Sequence, residues 1–387
     1  MREHAGDASG RGRFLLVVPP FTGHVNPLSA VAAELAGRGH QVAWAGDTVF
    51  LARLLPACAK VFPVWSPVPD RPADVLGFAA WRFLWERTLI PLAQAMLPGV
   101  LQAIEEWEPS ALVVDQQALA GALAAHRTGL PWATSATTSS EITDPLAAMP
   151  AVGRWVSGLL TELRLRFGDP MAEHDLRFSP HLVLAFTTPA LAGESAVPAP
   201  IRFVGPARRT APHVEFPWDR LDDRPLVFVS VGTLNGDSGA RFLSGCVDAL
   251  GERPDLQAVV VDPGGTLRDV PDHVIVRREV PQTDVLDRAA LVVCHAGHNT
   301  VCEALDRAVP LVVAPIRDDQ PVIAEQVVRS GAGVRLRFAH ARAAQIGTAI
   351  DNVLADDSYR AAAKRIQESF AQAGGARAAA AGLEAIG

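Results

Sequence analysis

The stretch Leu291-Val292-Val293-Cys294-His295-Ala296-Gly297-His298-Asn299-Thr300-Val301-Cys302-Glu303-Ala304-Leu305 decides how this chain is read. Leu291–Val293 is a short apolar run without polar alternation, the pattern of a strand covered on both faces. Small residues follow at Ala296 and Gly297, and a helical pattern begins at about His298. A strand, a turn of small residues and a helix start together form an anion site. The first helix amides have no intrahelical partner and carry the positive end of the dipole. A pyrophosphate suits such a site. His295, Asn299 and Thr300 add side-chain donors, and Glu303, a turn further on, can accept from ribose hydroxyls. No G-x-G-x-x-G is present, which argues against a dinucleotide.

Similar apolar runs recur on both sides of this stretch. They are Phe14–Val18, Gln41–Ala45 and Ala111–Val114 in the first half, and Val227–Ser230, Ala258–Val261, Val274–Val276 and Leu311–Ala314 in the second. Helix-like segments separate them, so right-handed βαβ units and open parallel sheets are expected. At 387 residues the chain is about twice the usual domain size, which predicts two α/β domains. Residues 1–12 read as a loose tail, 13–205 as the first domain and 225–370 as the second. Between them, 206–224 has the prolines and lack of periodicity of a linker. The Ala-rich segment 371–387 reads as a helix crossing back to the first domain. Two such domains would leave a cleft, and ligands of open α/β sheets bind beyond the carboxyl ends of strands.

The chemistry is therefore sought just after each strand. Ser230-Val231-Gly232-Thr233 forms a second phosphate-side loop. After Leu311–Ala314, Asp319 and Gln320 offer the acceptors and donors that vicinal sugar hydroxyls need; the alternative is that Asp319 only caps the next helix. No Asp-x-Asp pair occurs, so no metal-bridged diphosphate is indicated. In the first half, Phe14–Val18 leads into Pro19-Pro20-Phe21-Thr22-Gly23-His24-Val25-Asn26-Pro27. Asn26 has the character of an N-cap and Pro27 of a first helical residue, with the helix running to about Arg38 and stopping at Gly39. His24 would then sit in the loop, as a candidate general base with an unperturbed pKa of ~6.5. Asp115, following Ala111–Val114, could fix its tautomer. The structural alternative is that His24 caps a loop and Asp115 caps a helix starting near Gln117.

Composition bounds the rest. A net charge of -7 argues against a general nucleic-acid binder. Cys58, Cys246, Cys294 and Cys302 form no Cys-x-x-Cys pair and read as thiols of a reducing compartment. No apolar run approaches the ~20 residues of a membrane span, and the polar start is unlike a signal peptide, so a cytoplasmic protein is expected. His40, His126, His174 and His181 lack metal-site spacing and read as structural.

The segment His295–Leu305 resembles the donor motif His-x-Gly-x-Asn-Ser/Thr-x-x-Glu-Ala-Leu of the family 1 glycosyltransferases, bacterial branch. Val280-Pro281-Gln282, Asp319-Gln320 and Gly23-His24-Val25-Asn26-Pro27 stand in that family's order. The resemblance implies the GT-B fold, two Rossmann-like domains facing across a cleft. It implies an inverting transfer of a hexose from a nucleotide sugar to a hydroxyl of a lipophilic natural product, with His24 as base and Asp115 as its partner. Val280 and Gln282 would bracket the nucleobase. His295, Asn299, Thr300 and the amides beside Gly297 would hold the diphosphate, Glu303 the ribose, and Asp319 with Gln320 the sugar. His298 would face the sugar or the acceptor. Trp81, Phe83 and Trp85, with Leu84, Met96 and Trp155, would line an apolar acceptor pocket; core packing is their alternative. No cofactor beyond the nucleotide sugar, UDP-glucose or a dTDP-sugar, is implied, and homodimer formation is left open. Glu279 departs from members that carry a base-stacking Trp there. The competing functions are a sugar-nucleotide epimerase, whose paired carboxylate and histidine acid–base groups would have to lie in the donor cleft, and a non-catalytic sugar-nucleotide-binding partner protein, which would have no use for His24 and Asp115.

Overall fold

The computed structural model describes residues 11–387 apart from 73–74, 76, 144–148, 209–213 and 233–235, with 236–238 described by backbone alone. Thr233 and most of the expected tail thus lie outside the described residues. The described chain forms two compact units. One comprises Met1–Phe186, Glu194–Arg209 and Ala373–Gly387, the other Thr187–Gly193 and Thr210–Gln372.

The first unit is a seven-stranded, all-parallel sheet: β1 Arg13–Val17, β2 Gln41–Gly46, β3 Lys60–Pro63, β4 Ala111–Asp115, β5 Trp132–Ala136, β6 Leu182–Ala185 and β7 Ile201–Phe203, in the order β3-β2-β1-β4-β5-β6-β7. Side chains alternate between two buried faces. Leu15, Val17, Leu112 and Val114 join one core with Trp85, Met96 and Trp132. Phe14, Leu16, Ala111 and Val113 join the other with Leu28, Leu35 and Leu383. Burial on both faces is why these strands read as unbroken apolar runs.

The second unit is a six-stranded parallel sheet: β8 Leu226–Ser230, β9 Gln257–Val261, β10 Val274–Arg277, β11 Ala289–Cys294, β12 Leu311–Val313 and β13 Gly333–Arg335, in the order β10-β9-β8-β11-β12-β13. Phe228, Val292 and Val313 face one core, and Val227, Val293 and Val312 the other. The expected fold class of two α/β units is thus met, with strand order reversing at β1/β4 in one sheet and at β8/β11 in the other. Crevices form at such reversals, beyond the carboxyl strand ends.

Five expectations are corrected. The helix after β1 spans Thr22–Gly37, so Asn26 is not its N-cap, Pro27 lies inside it and His24 belongs to its first turn. Proline forgoes a single helical hydrogen bond there, while Val25 and Leu28 on the same segment are fully buried. Asp115 is the last residue of β4 rather than a residue after it. Order begins before residue 13, since the Gly12 amide donates to His40 Nδ1 at 2.9 Å. The tail helix is broken: one helix runs Asp357–Ala373, Gly374 and Gly375 take positive φ values of 89° and 55°, and a new helix runs Gly375–Leu383. The second helix packs Ala379, Ala380 and Leu383 into the first unit's core. Thr187–Gly193 also departs from the expected boundaries by grouping with the second unit, where Leu191 joins the core and Arg329 donates to the Ala192 carbonyl at 2.6 Å.

Candidate active site

The reversal in the first sheet lies between Val17 and Val114, which are paired in register. The chain leaving β1 turns at once into the Thr22–Gly37 helix and presents His24; β4 ends on Asp115. The two meet, with His24 Nδ1 2.8 Å from Asp115 Oδ1. The Asp115 side chain is fully buried and that of His24 is 15% exposed. A buried carboxylate accepting from Nδ1–H fixes the proton there and places the lone pair on Nε2. Asp115 Oδ1 also accepts from the Gln117 amide at 2.9 Å. Asp115 thus caps the Gln117 turn while it meets His24, so the two readings of Asp115 do not exclude each other. Thr137, just past β5, was not singled out from the sequence; its hydroxyl donates to Asp115 Oδ2 at 2.9 Å and its oxygen lies 2.8 Å from His24 Nδ1. A lone threonine after a strand carries no signal by itself.

The reversal in the second sheet lies between Ser230 and Cys294, again paired in register. Gly232 follows β8 with φ 76°, and Ala296 follows β11 with φ 63°, an unusual conformation for a residue with a Cβ. Gly297 then caps a helix spanning His298–Leu305. The His295 ring packs against both glycines. A Cβ on Gly297 would stand 2.5 Å from its Nε2, and one on Gly232 2.9 Å. These glycines therefore seat an imidazole as well as opening the backbone. Burial pushes His295 down to about 4; a hydrogen bond with the Ser230 backbone opposes this and the Arg317 charge adds to it. The ring is neutral near pH 7 and offers a dipole, not a charge. Arg317 supplies positive charge near His295 that the sequence reading had not assigned a role.

Gln282 opens the short helix Gln282–Leu286, and its Nε2 donates to Glu303 Oε2 at 2.5 Å, so these two expected ligand residues come together. The Val280 side chain packs into the core. Asp319 stands at the N-cap of the Gln320–Arg329 helix but makes no side-chain cap bond. Gln320 Oε1 accepts from the Ile316 and Arg317 amides at 2.8 and 3.0 Å, so its carbonyl holds the loop and only its amide nitrogen points to no partner within that loop. Asn299 and Thr300 lie in the first turn of His298–Leu305, partly exposed.

Two expected assignments change. His298 is buried, with Nε2 3.5 Å from Cys302 Sγ one turn along. It packs inward because a helix places positions i and i+4 on one face, here the core face. Trp85 and Met96 are core residues, 1% and 0% exposed. Trp81, Leu84 and Trp155 pack against that core, and Phe83 is partly buried with the Arg71 guanidinium 5.9 Å above its ring. Burial raises the Cys246, Cys294 and Cys302 thiols, which are unreactive in consequence. No group of three metal-capable side chains occurs, and no helix is long and apolar enough to cross a membrane, among the described residues.

Residues 252–385 match the family described as Erythromycin biosynthesis protein CIII-like, C-terminal domain. The 4'-demethylrebeccamycin synthase of Lentzea aerocolonigenes is 28% identical over 93% of this chain and 96% of its own length. Among solved structures, the glycotransferase of kitacinnamycin superposes with a TM-score of 0.81 at 25% identity, covering 97% of this chain and 98% of its own. A spinosyn rhamnosyltransferase superposes with a TM-score of 0.78 at 27% identity, covering 96% of this chain and 100% of its own. It has also been solved with thymidine diphosphate and with the spinosyn aglycone. The chain is a glycosyltransferase of the GT-B fold, as the donor motif implied.

Proposed function

We propose that this enzyme moves a hexose from a nucleoside diphosphate sugar to a hydroxyl of a lipophilic small molecule, a natural product, with inversion at the anomeric carbon. The observation that carries the reading is the contact of the buried Asp115 carboxylate with His24 Nδ1 at 2.8 Å. His24 Nε2 takes the acceptor proton as the acceptor oxygen bonds to the anomeric carbon. The bond from that carbon to the diphosphate oxygen breaks, and its electron pair leaves with the diphosphate. The amides of Gly297 to Thr300 and the Arg317 charge meet the developing negative charge. Gln282 and Glu303 hold the nucleoside, and Asp319 with the Gln320 amide nitrogen the sugar.

The acceptor class is supported by where apolar surface is left uncovered. Of eight large hydrophobic residues exposed among the described residues, Val49, Trp65, Val68, Phe78 and Met149 stand on segments that follow β2, β3 and β5 in the chain and so leave the first sheet from its carboxyl end. His24 is at that end too. An apolar acceptor entering there would cover them.

The test is His24→Ala. Turnover should fall by ~10²–10⁴ while nucleoside diphosphate binding, measured by calorimetry, is retained. Near-normal turnover, with chemistry shown to be rate-limiting, removes His24 as the base.

A further inference from the structure

We propose that Thr137 is a positioning residue that closes a three-membered hydrogen-bonded ring with His24 and Asp115 and selects the catalytic tautomer. This rests on the reading of His24 as base.

The ring is specified by three short distances. His24 Nδ1 lies 2.8 Å from Asp115 Oδ1, Thr137 Oγ1 donates to Asp115 Oδ2 at 2.9 Å, and Thr137 Oγ1 lies 2.8 Å from His24 Nδ1. The hydroxyl has one proton, and it is committed to Oδ2. Its oxygen therefore meets Nδ1 as an acceptor. Nδ1–H then faces two acceptors at 2.8 Å. In the other tautomer a lone pair on Nδ1 would face the carboxylate, and the single hydroxyl proton could serve only one of two acceptors. The ring thus holds the proton on Nδ1 and the lone pair on Nε2, the atom that must receive the acceptor proton. Thr137 also anchors the second carboxylate oxygen. With the Gln117 amide on Oδ1 at 2.9 Å, Asp115 is held at both oxygens and cannot turn away from the imidazole.

Sheet register explains the placement. Asp115 pairs with Ser135 across β4 and β5, and Thr137 is two residues further on, the spacing that returns a side chain to the same face. Thr137 is 3% exposed. Its β-branched side chain has few rotamers, so the hydroxyl direction is fixed by packing. Valine replaces the hydroxyl with a methyl of similar size; serine keeps the hydroxyl and loses the methyl.

The experiment compares wild type, Thr137→Val, Thr137→Ser, Asp115→Asn and the Thr137→Val/Asp115→Asn double variant. The readouts are kcat, donor KM and the ¹⁵N imidazole signals of His24, assigned by their loss in His24→Ala. Above its titration, wild-type His24 should be the Nδ1–H tautomer. Thr137→Val should mix the tautomers and lower kcat about tenfold, the upper end expected for one hydrogen bond, with donor KM within about twofold. Thr137→Ser should recover most of the rate. In the Asp115→Asn background, Thr137→Val should add little, because the ring is already open. A wild-type Nε2–H tautomer overturns the proposal without any variant. So does a Thr137→Val enzyme of unchanged tautomer and rate, or one whose loss simply multiplies with that of Asp115→Asn. If His24→Ala keeps its turnover, the base assignment fails instead, and the ¹⁵N signals still decide whether Thr137 sets the tautomer.

Discussion

Adding one methyl group at Gly297 tests whether the donor motif's glycine seats the His295 ring. Gly297 has φ -65° and ψ 132°, which alanine adopts without strain. The new Cβ would stand 2.5 Å from His295 Nε2 and 2.8 Å from Cε1, against an ordinary contact of 3.4 Å or more, so the ring must retreat by about 1 Å. It is already against Gly232, whose own added Cβ would meet it at 2.9 Å. Overpacking of this kind costs about 1–3 kcal/mol. Without the imidazole, the same substitution should be neutral or stabilising by about 0.4–1 kcal/mol, through the stiffer unfolded chain. The double-mutant cycle of Gly297→Ala and His295→Ala should therefore show a coupling on the order of 2 kcal/mol in urea unfolding. UDP affinity, measured by calorimetry, should fall in Gly297→Ala, because the ring and the helix-start amides move apart. An equal cost of Gly297→Ala with and without His295 would refute the seating argument, as would no cost in wild type.

Three further outcomes follow. Glu303 can accept from both ribose hydroxyls of a uridine donor and from one of a thymidine donor, so kcat/KM should favour UDP-glucose over dTDP-glucose by the ~0.5–1.5 kcal/mol of one hydrogen bond, and Glu303→Ala should lose that preference; a wild-type preference for thymidine of about tenfold, ~1.4 kcal/mol, overturns the assignment. If the helix amides and Arg317 meet the diphosphate charge as proposed, turnover should survive EDTA; loss restored by magnesium at the chemical step contradicts this. Finally, His126 is pushed down from 6.5 to about 4, by burial first and then by His174, which is lowered mainly by burial and whose Nε2 is 2.6 Å away. A folded-state pKa below the unfolded value means the unfolded chain binds more protons between pH 6.5 and 4, so stability should drop as pH falls through that window. His126→Gln should flatten the dependence of unfolding free energy on pH there; an unchanged slope removes the pair as its cause.

The sequence alone determined what depends on local pattern. Apolar runs such as Leu291–Val293 and Ala111–Val114 gave parallel strands because both faces of each sheet are buried. Small residues between strand and helix gave the turn at Gly297, and the spacing from His295 to Glu303 placed the motif's polar residues on one turn and one helix. Less legible were β5 and β13, whose alanines, serine, glycine and arginine dilute the apolar signal. The start of the Thr22–Gly37 helix was misplaced, because Asn26-Pro27 is a local start signal and the burial that overrides it is not local. Only the tertiary structure decided which side chains meet. His24 and Asp115 are 91 residues apart, and Thr137 is 113 from His24; strand order β1-β4-β5 brings them together. It also turned His298 and Trp85 into the cores and tied the Gln320 carbonyl to its own loop. The physical reason is that periodicity states which faces are buried, whereas a partner is fixed by sheet order and register, which non-local pairing sets.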